Sequence, residues 1–412
     1  MLLEALTEYP YEGLTRELLS LGMSWAVMNA DLEPDAEELA DAFEGALLSL
    51  RGRVNAHTSK MGRNDRSSFD KVLMAWFGRS APETYGELFE LIVKETIGLL
   101  RGGKLDPEES LTAVMVTKDG TYLGVEYDGR TSRTPGKKPQ TDHYAILPAI
   151  IKQPEYYERQ SGFLVPTTGQ KAQIRLDPLW FSIMALGFFT AFAGFMGGNY
   201  YLMTRPGVEA FWPYEIEDVL ENGLLPLTGA GLSGRISLST EELYEMKLAM
   251  KLAEEGKTVT ENVYPVTLHL ISLEGQVYTE LKTVQLNLSG LSDYLSSYVR
   301  KIESLSVGGT QVFVELKEKN LTVRKYPLWA LVDIAEKELG KGVSGDGEML
   351  AYIFVKDLYR AINGGRRELI NDAIFRLFRQ GRALLEGSGR ASGEFRKVMR
   401  TFMWREHLEV LL

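Results

Sequence analysis

A run of basic residues set among Gly, Pro, Ser and Thr is the part of this sequence best suited to chemistry with an anion. Residues 129–142 read GRTSRTPGKKPQTD, and Asp142 is the single acid among them. Arg and Lys side chains reach phosphate oxygens, while Gly and Pro keep such a loop open and solvated. One acid cannot neutralise the four basic residues of the stretch. We therefore predict that the loop contacts a polyanion through Arg130, Arg133, Lys137 and Lys138.

Two further stretches carry excess positive charge, although the whole chain has a formal charge of −10. Residues 50–71 hold six basic residues against two acids, a net charge of +4, and their Gly, Asn and Ser content predicts a loop between helices. Residues 356–407 hold twelve basic residues against six acids, a net charge of +6. The candidate nucleic-acid-binding residues in these stretches are Arg51, Arg53, Lys60, Arg63, Asn64, Arg66, Arg366, Arg367, Arg376 and Arg379.

Ion pairing along helices is the alternative for the C-terminal stretch, and the sequence leaves both readings open. Basic and acidic residues three or four positions apart face each other on a helix and neutralise each other locally. The arginines in question are Arg366, Arg376, Arg379 and Arg382, and the acids within reach are Glu368, Asp372 and Glu386.

Recognised catalytic motifs are weak or absent. Without cysteine, the chain has no disulfide, thiolate nucleophile or Cys-based zinc site, and its four histidines do not stand at metal-ligand spacing. The sequence GAGLSG at 229–234 has the spacing of a dinucleotide-binding loop, but no strand leads directly into it, which favours a flexible turn. We expect no enzymatic activity, no metal and no cofactor.

Length and composition indicate a large globular protein. A chain of 412 residues predicts about two or three domains, and 44% hydrophobic with 25% charged residues is enough for a large core. The absence of cysteine fits a reducing compartment, and the first residues, MLLEALTEYPYEG, lack the basic-then-apolar order of a secretory signal. We therefore expect a cytoplasmic protein.

Hydrophobic periodicity predicts an α+β chain with a mixed N-terminal domain over 1–326 and a helical bundle over 327–412. Residues 1–105 look mainly helical, and residues 110–325 are rich in hairpin patterns with helices inserted. From Pro327 onward, amphipathic segments separated by Gly-rich breaks predict an antiparallel bundle. The hairpins are predicted at 112–127, 162–176, 263–288 and 311–325, and the aromatic core of the bundle at Phe375, Phe378, Phe395, Phe402 and Trp404.

An uncharged apolar segment covers residues 179–203, LWFSIMALGFFTAFAGFMGGNYYLM. Its 25 residues are long enough to span a bilayer. We favour a buried core helix, because no second segment of this kind exists and Gly197-Gly198-Asn199 interrupts the run. A membrane anchor is the alternative, and a need for detergent during extraction would indicate it.

Four segments together resemble a known family. They are GRTSRTPGKKPQTDH at 129–143, FFTAFAGFMGGNYYLM at 188–203, NGGRRELINDAIFRLFRQGRALL at 363–385 and SGEFRKVMRTFMWREHLEVLL at 392–412. The sequence resembles the large subunit of type I CRISPR effector complexes, in particular the archaeal type I-A form. The resemblance covers the whole chain in outline and implies a mixed α+β N-terminal domain joined to a C-terminal helical bundle.

The resemblance also implies a non-enzymatic role in RNA-guided interference. Such a subunit binds guide RNA and target DNA, reads the protospacer-adjacent motif, contacts backbone and small subunits, and helps recruit a helicase–nuclease. On this basis the four cations of the 129–142 loop would hold phosphates, while Gln140 and Asn64 would reach base edges.

Other function classes stay open at this stage beside the membrane anchor. One is a purely structural subunit without nucleic-acid contacts. Another is an unrecognised, metal-dependent enzyme built on the carboxylates of residues 207–262, although helix caps and solvated helix faces are the favoured explanation for such acids. The acids are Glu215, Glu217, Asp218, Glu221, Glu241 and Glu242.

Overall fold

The chain forms two compact units in the computed structural model. One unit contains Met1–Leu232 and Asn262–Gln285, and the other contains Ser233–Glu261 and Leu286–Leu412. This division differs from the predicted boundary between residues 326 and 327, because helices and strands before that point pack with the C-terminal helices. The structure describes residues 3, 6, 13–28, 34–54, 60–107, 114–116, 122–123, 145–158, 173–274, 277–307, 312–318, 321–341, 345–387 and 389–411.

The first unit is mainly helical, as predicted for residues 1–105, and its antiparallel sheets follow later in the chain. A π-helical turn at Leu220–Leu224 joins its last two helices. The helices are α1 (Leu14–Met28), α2 (Ala36–Val54), α3 (Arg63–Phe77), α4 (Tyr85–Arg101), α5 (Ala149–Glu158), α6 (Pro178–Ala191), α7 (Pro213–Val219) and α8 (Leu225–Gly234).

Helix α6 is the buried centre of the first unit. It starts at Pro178, after the Asp177 carboxylate accepts a hydrogen bond from the amide of Trp180 at 2.8 Å, and every one of its residues is buried. A helix that is apolar on all sides is stable only inside a protein or a membrane. Helix α1 crosses it at Gly22 and Gly187, and the indole of Trp25 donates to the hydroxyl of Thr190 at 2.8 Å.

The predicted core helix is confirmed for residues up to 191 and wrong beyond them. Strands β5 (Phe192–Met196) and β6 (Asn199–Thr204) follow directly as an antiparallel hairpin. Gly197 and Gly198 form the turn with φ of 60° and 89°, a conformation that glycine adopts without steric cost. Among the described residues, no helix is both long and apolar enough to cross a membrane.

The strands of the first unit form two four-stranded sheets. One has the order β2-β1-β4-β3, and the other has the order β5-β6-β7-β8. The hairpins predicted at 112–127 and 263–288 are confirmed, while the one at 162–176 falls largely on residues 159–172, outside the described residues. The remaining strands are β1 (Val114–Val116), β2 (Tyr122–Leu123), β3 (Ala145–Ile146), β4 (Gln173–Leu176), β7 (Val266–Glu274) and β8 (Val277–Leu286).

The second unit is a helical bundle with one hairpin, which confirms the predicted bundle and the hairpin at 311–325. Its helices are α9 (Glu241–Glu254), α10 (Ser289–Val307), α11 (Pro327–Lys341), α12 (Asp346–Asn363), α13 (Arg367–Leu385), α14 (Gly393–Phe402) and α15 (Arg405–Leu411). Its strands are β9 (Val314–Glu318) and β10 (Leu321–Lys325).

The predicted aromatic core of the bundle is only partly right. Phe395 and Phe402 are fully buried, but Phe375 is 56% exposed and Trp404 is 42% exposed. Phe375 lies on α13 beside Ile374 and Leu377, which are buried and which supply the inward face of that helix. The outward position of Phe375 leaves an aromatic ring free for contact with something outside the unit.

Candidate nucleic-acid interface

Helix α3 separates an apolar face from a basic one. Phe69, Val72 and Leu73 are buried against the first unit. Gly62 precedes the helix without a side-chain cap, and Gly78 ends it in the left-handed conformation at φ 66°. Four exposed side chains form what we name the α3 basic surface: Arg63, Asn64, Arg66 and Lys71. The acid Asp70 is exposed beside them, one turn after Arg66.

The two acids of α3 are held by hydrogen bonds to the protein itself. The Asp65 carboxylate accepts from the Tyr85 hydroxyl at 2.7 Å and from the Ala149 amide at 2.8 Å. The Asp70 carboxylate accepts from the Ala81 amide at 2.7 Å. Within the described part of the chain, no ion pair involves a cation of the α3 basic surface. The three cations are therefore available to an external anion, while the exposed Asp70 reduces the net positive charge around them.

The same helix lies beside the segment that follows the 129–142 loop. The loop connects β2 to β3, both strands of one sheet, and β3 packs on α3. The hydrogen bond from Ala149 to Asp65 fixes the residues just after β3 at the first turn of α3. Asp142, the last residue of the loop, precedes Ala145 by three positions. Residues 124–144, with Arg130, Arg133, Lys137, Lys138 and Gln140, lie outside the described residues.

The electrostatics of this end of α3 favour a bound anion. The partial positive charge of a helix N-terminus repels cations and attracts phosphates. Arg63 and Arg66 nevertheless occupy the first turn, where Asp65 is the acid that accompanies them, and an added anion would interact favourably with both arginines. Behind them, burial and the adjacent Asp65 carboxylate raise the pKa of Tyr85, so that its hydroxyl stays a proton donor.

Arg53 is not available to a nucleic acid, which corrects its assignment as a candidate. Its guanidinium is buried and donates to the Thr190 carbonyl at 3.2 Å, the Leu225 carbonyl and the Thr228 hydroxyl. Burial lowers the pKa of Arg53 to about 10. Through these hydrogen bonds Arg53 connects the end of α6 to the start of α8, which is a structural role.

The other candidates of the 50–71 stretch are exposed but less clearly placed. Arg51 lies in the last turn of α2, and no described contact joins it to α3. Lys60 forms a β-bridge with Thr84 and a long, exposed ion pair with Glu83 at 3.8 Å. An exposed pair of this length contributes little to stability, so the Lys60 ammonium can exchange Glu83 for a phosphate.

The C-terminal arginines divide between the two possibilities that the sequence left open, which are ion pairing with nearby acids and contact with nucleic acid. Arg376 pairs with Asp357 of α12 at 2.6 Å, and Arg382 pairs with Glu386 at 3.0 Å. Arg366 and Arg379 are exposed, and no ion pair of theirs occurs among the described residues. Arg367 begins α13, and its side chain lies outside the described part. On helix α13, Arg379 lies one turn from the exposed ring of Phe375. Hydrophobic periodicity in the sequence did not predict this neighbourhood.

The acids of residues 207–262 are spread over several local roles. The Glu215 carboxylate accepts from the Trp212 amide at 3.0 Å, Asp218 accepts from Asn222 at 3.1 Å, and Glu242 lies 3.9 Å from Arg360. No group of three or more His, Cys, Asp or Glu side chains suited to a metal occurs in the described ranges.

The GAGLSG sequence lies in helix α8 and is neither a flexible turn nor a phosphate loop. A Cβ at Gly231 would lie 2.6 Å from the Ala193 carbonyl oxygen, so this glycine permits close packing of α8 on β5. His269, predicted to be structural, lies fully buried in β7 between Glu17 at 2.8 Å and Glu280 at 2.6 Å.

Comparison with known proteins gives a match to a family. The family described as CRISPR-associated protein (Cas_Csx9) matches residues 23–412, nearly the whole chain. No curated protein and no solved structure matches the chain. The family supports the CRISPR part of the resemblance and does not specify a type I-A large subunit. With its helical bundle, its basic helix face and this match over both units, the chain belongs to the Cas_Csx9 family of CRISPR-associated proteins and has a role in CRISPR defence.

Proposed function

We propose that this protein is the non-enzymatic large subunit of an RNA-guided CRISPR interference complex in the cytoplasm. In this role it binds guide RNA and target DNA, reads the protospacer-adjacent motif and helps recruit a helicase–nuclease. Its other partners are the backbone and small subunits of the complex. Membership of a CRISPR-associated family supports the setting, and the exposed charge of the first unit supports the contact with nucleic acid.

The observation that carries the proposal is the hydrogen bond between Asp65 and Ala149. It links the α3 basic surface to the chain segment that follows the 129–142 loop, although about 60 residues of sequence separate the two basic stretches. A chain with a formal charge of −10 repels nucleic acid in general. The exposed cations of α3, beside the segment that follows the second basic stretch, therefore favour a bound polyanion at that place.

The division of labour follows from the residue types. Arg63, Arg66 and Lys71 hold phosphates, which fixes orientation without reading sequence. Asn64 stands among them, and an amide both donates to and accepts from base edges in the major groove. Since the guide RNA reads most of the target by base pairing, a short motif is all that the protein has to recognise. We assign that reading to Asn64 and Gln140.

Helix α13 of the second unit supplies a surface suited to a displaced single strand. Phe375 is 56% exposed, and Arg379 follows it by one helical turn. An aromatic ring flanked by cations stacks on unpaired bases and attracts the backbone, with little dependence on sequence. This surface would hold the strand that guide pairing releases.

The proposal is tested by purifying the tagged full-length protein from its source cells and analysing what elutes with it. We expect several other CRISPR-associated subunits, with one present in multiple copies, and RNA of uniform length. An untagged parallel purification controls for carry-over. Elution of the protein alone, free of RNA and of other subunits, would overturn the proposal.

A further inference from the structure

A pocket of about 530 Å³ opens in the second unit between helices α11, α12 and α14. Its wall includes Lys337 of α11, the start of α12 at Gly345, and Arg390 and Ser392 of the segment that leads into α14. The volume falls within the range of small-molecule sites. All of its lining residues belong to the second unit, so the pocket is separate from the α3 basic surface.

Two side chains that line this pocket, Arg396 and Glu348, each hold a buried polar atom, and the two atoms have opposite hydrogen-bonding character. The Nε–H of Arg396 is a donor, and Oε2 of Glu348 is an acceptor. Both atoms are buried and lack hydrogen-bond partners within the described part of the chain. An unsatisfied buried donor or acceptor is costly, so a shift of these two side chains toward the pocket would let a ligand with a matching acceptor and donor satisfy both atoms.

The surrounding main chain holds these groups in place. The Arg390 amide donates to Asp346 at 2.8 Å, and the Gly347 amide donates to the Arg390 carbonyl at 3.1 Å. The other oxygen of Glu348 accepts from the Ser392 amide at 3.1 Å. The segment 390–392 is thereby fixed on the first turn of α12. The Arg390 guanidinium remains exposed, and the described residues offer it no ion pair.

The charge of the lining selects among ligand classes. Lys337, Arg390 and Arg396 are balanced by Glu338, Glu348 and Glu394, and Lys337 already contacts Glu394 at 2.9 Å. A lining without net charge does not favour a bare polyanion. It suits a ligand that combines one anionic group with a planar group bearing both a donor and an acceptor, and a nucleotide has this combination.

We propose that this pocket binds one unpaired nucleotide. Arg396 and Glu348 contact the edge of the base, and Arg390, beside the N-termini of α12 and α14, contacts the phosphate. The base inserts only when it is unpaired, because pairing would occupy the same donors and acceptors. The proposal goes beyond the α3 basic surface and stands without it, since it rests on other residues in the other unit.

The test is isothermal titration of the full-length protein with the four ribonucleoside monophosphates, ribose 5-phosphate and inorganic phosphate. We expect binding of at least one nucleotide, with affinities that depend on the base, and much weaker binding of the two ligands that lack a base. The variants Glu348→Gln and Arg396→Gln should each weaken nucleotide binding by about tenfold or more, as expected for a lost hydrogen bond to a charged group. Matched controls are Glu368→Gln and Arg400→Gln, which change exposed residues outside the pocket and should have no effect.

A third variant probes the pocket by shape. A Cβ at Gly345 would lie 2.4 Å from Oε2 of Glu348, so Gly345→Ala should displace that carboxylate and weaken binding without removing a charge. Circular dichroism verifies that each variant is folded, and the rise in melting temperature of the wild type with added nucleotide is a second readout.

Three results would each overturn the proposal: no binding of any mononucleotide at millimolar concentration, equal binding of inorganic phosphate, or equal affinity of pocket variants and controls. The α3 basic surface can fail its own test while mononucleotide binding persists, because loss of Arg63, Arg66 and Lys71 leaves this pocket unchanged.

Discussion

The carboxylate of Asp65 accepts a hydrogen bond from the main-chain amide of Ala149 at 2.8 Å. One oxygen of one acid thus connects the first turn of α3 to the segment that returns from the 129–142 loop, and the same oxygen accepts from the Tyr85 hydroxyl at 2.7 Å. Because neutral donors hold this carboxylate, it forms no ion pair with Arg63 or Arg66 in the described part of the chain. The contact therefore holds two segments of the first unit together, and it leaves Arg63 and Arg66 unpaired with Asp65.

Replacement of Asp65 tests the structural part. Asp65→Ala leaves the Ala149 amide and the Tyr85 hydroxyl without their acceptor and should lower the free energy of unfolding by about 3 kcal/mol, the magnitude of hydrogen bonds to a charged group. Asp65→Asn keeps an acceptor oxygen and should cost less than half as much. Urea denaturation of both variants gives the comparison. Equal losses would show that the negative charge, and not the acceptor geometry, is what matters.

The crossing of α1 and α6 should be intolerant of any side chain at Gly187. A Cβ there would lie 1.8 Å from the Leu18 carbonyl oxygen, which belongs to a helix backbone and cannot move aside. We expect Gly187→Ala to lower the stability of the first unit by at least about 3 kcal/mol, or to prevent folding. Gly98→Ala is the matched control, because its Cβ meets nothing within 4 Å. That change should stabilise α4 by about 0.5–1 kcal/mol. Similar melting temperatures for the two variants would contradict the packing of α1 on α6.

His269 should make the first unit less stable as the pH rises. Burial alone would lower the pKa of His269, but hydrogen bonds and charge from Glu17 and Glu280 outweigh it, and the net result is a raised pKa. The stabilisation is complete below the unfolded pKa of about 6.5 and is lost as the pH climbs through the raised value. His269→Gln removes this dependence. Denaturant titrations of the wild type and of this variant from pH 6 upward measure the free energy of unfolding at each pH. Parallel pH profiles for the two proteins would contradict a charged imidazole at His269.

In the second unit, replacement of the buried Glu245 should stabilise the protein at high pH. Burial, with a further contribution from nearby Glu241 and Glu242, raises the pKa of Glu245 to about 7 despite a hydrogen bond from Tyr359. Folding therefore favours the neutral acid, and ionisation costs stability as the pH rises from about 4.5 through 7. Glu245→Gln should stabilise the protein at pH 8 by up to about 3 kcal/mol and by little at pH 4.5. Thermal unfolding of the wild type and the variant at pH 4.5 and pH 8 measures this difference in stability. Glu406→Gln, at an exposed position, is the control. A destabilised Gln variant at pH 8 would contradict this reasoning.

Local patterns in the sequence predicted much of the fold. The β-rich runs on either side of residues 274–275 and 319–320 identified two hairpins, and the uncharged segment identified the buried helix α6. The end of that helix was missed because apolar content was uniform through residue 203, while the glycine turn at 197–198 alone marks the change to strands.

The candidate site was less predictable, because burial of a charged side chain depends on distant parts of the chain. Arg51 and Arg53 are two positions apart with similar neighbours, yet only Arg53 meets carbonyls of residues 190 and 225. Likewise, Phe375 and Phe395 look equivalent in the sequence, but helix packing buries only the second. The contact of Asp65 with Ala149 has no sequence pattern, since it joins segments 84 positions apart.

Salt-dependent DNA binding by the α3 basic surface tests the central claim most directly. The variant Arg63→Ala/Arg66→Ala/Lys71→Ala is compared with Arg79→Ala/Lys94→Ala/Arg101→Ala, which removes the same charge from cations already paired with acids. Fluorescence anisotropy of labelled duplex DNA at several salt concentrations gives log K against log salt. We predict that the first variant weakens binding and reduces the slope by about 3, one for each lost phosphate contact, while the control matches the wild type. Equal slopes for the wild type and the first variant would contradict the assignment of this surface to nucleic acid.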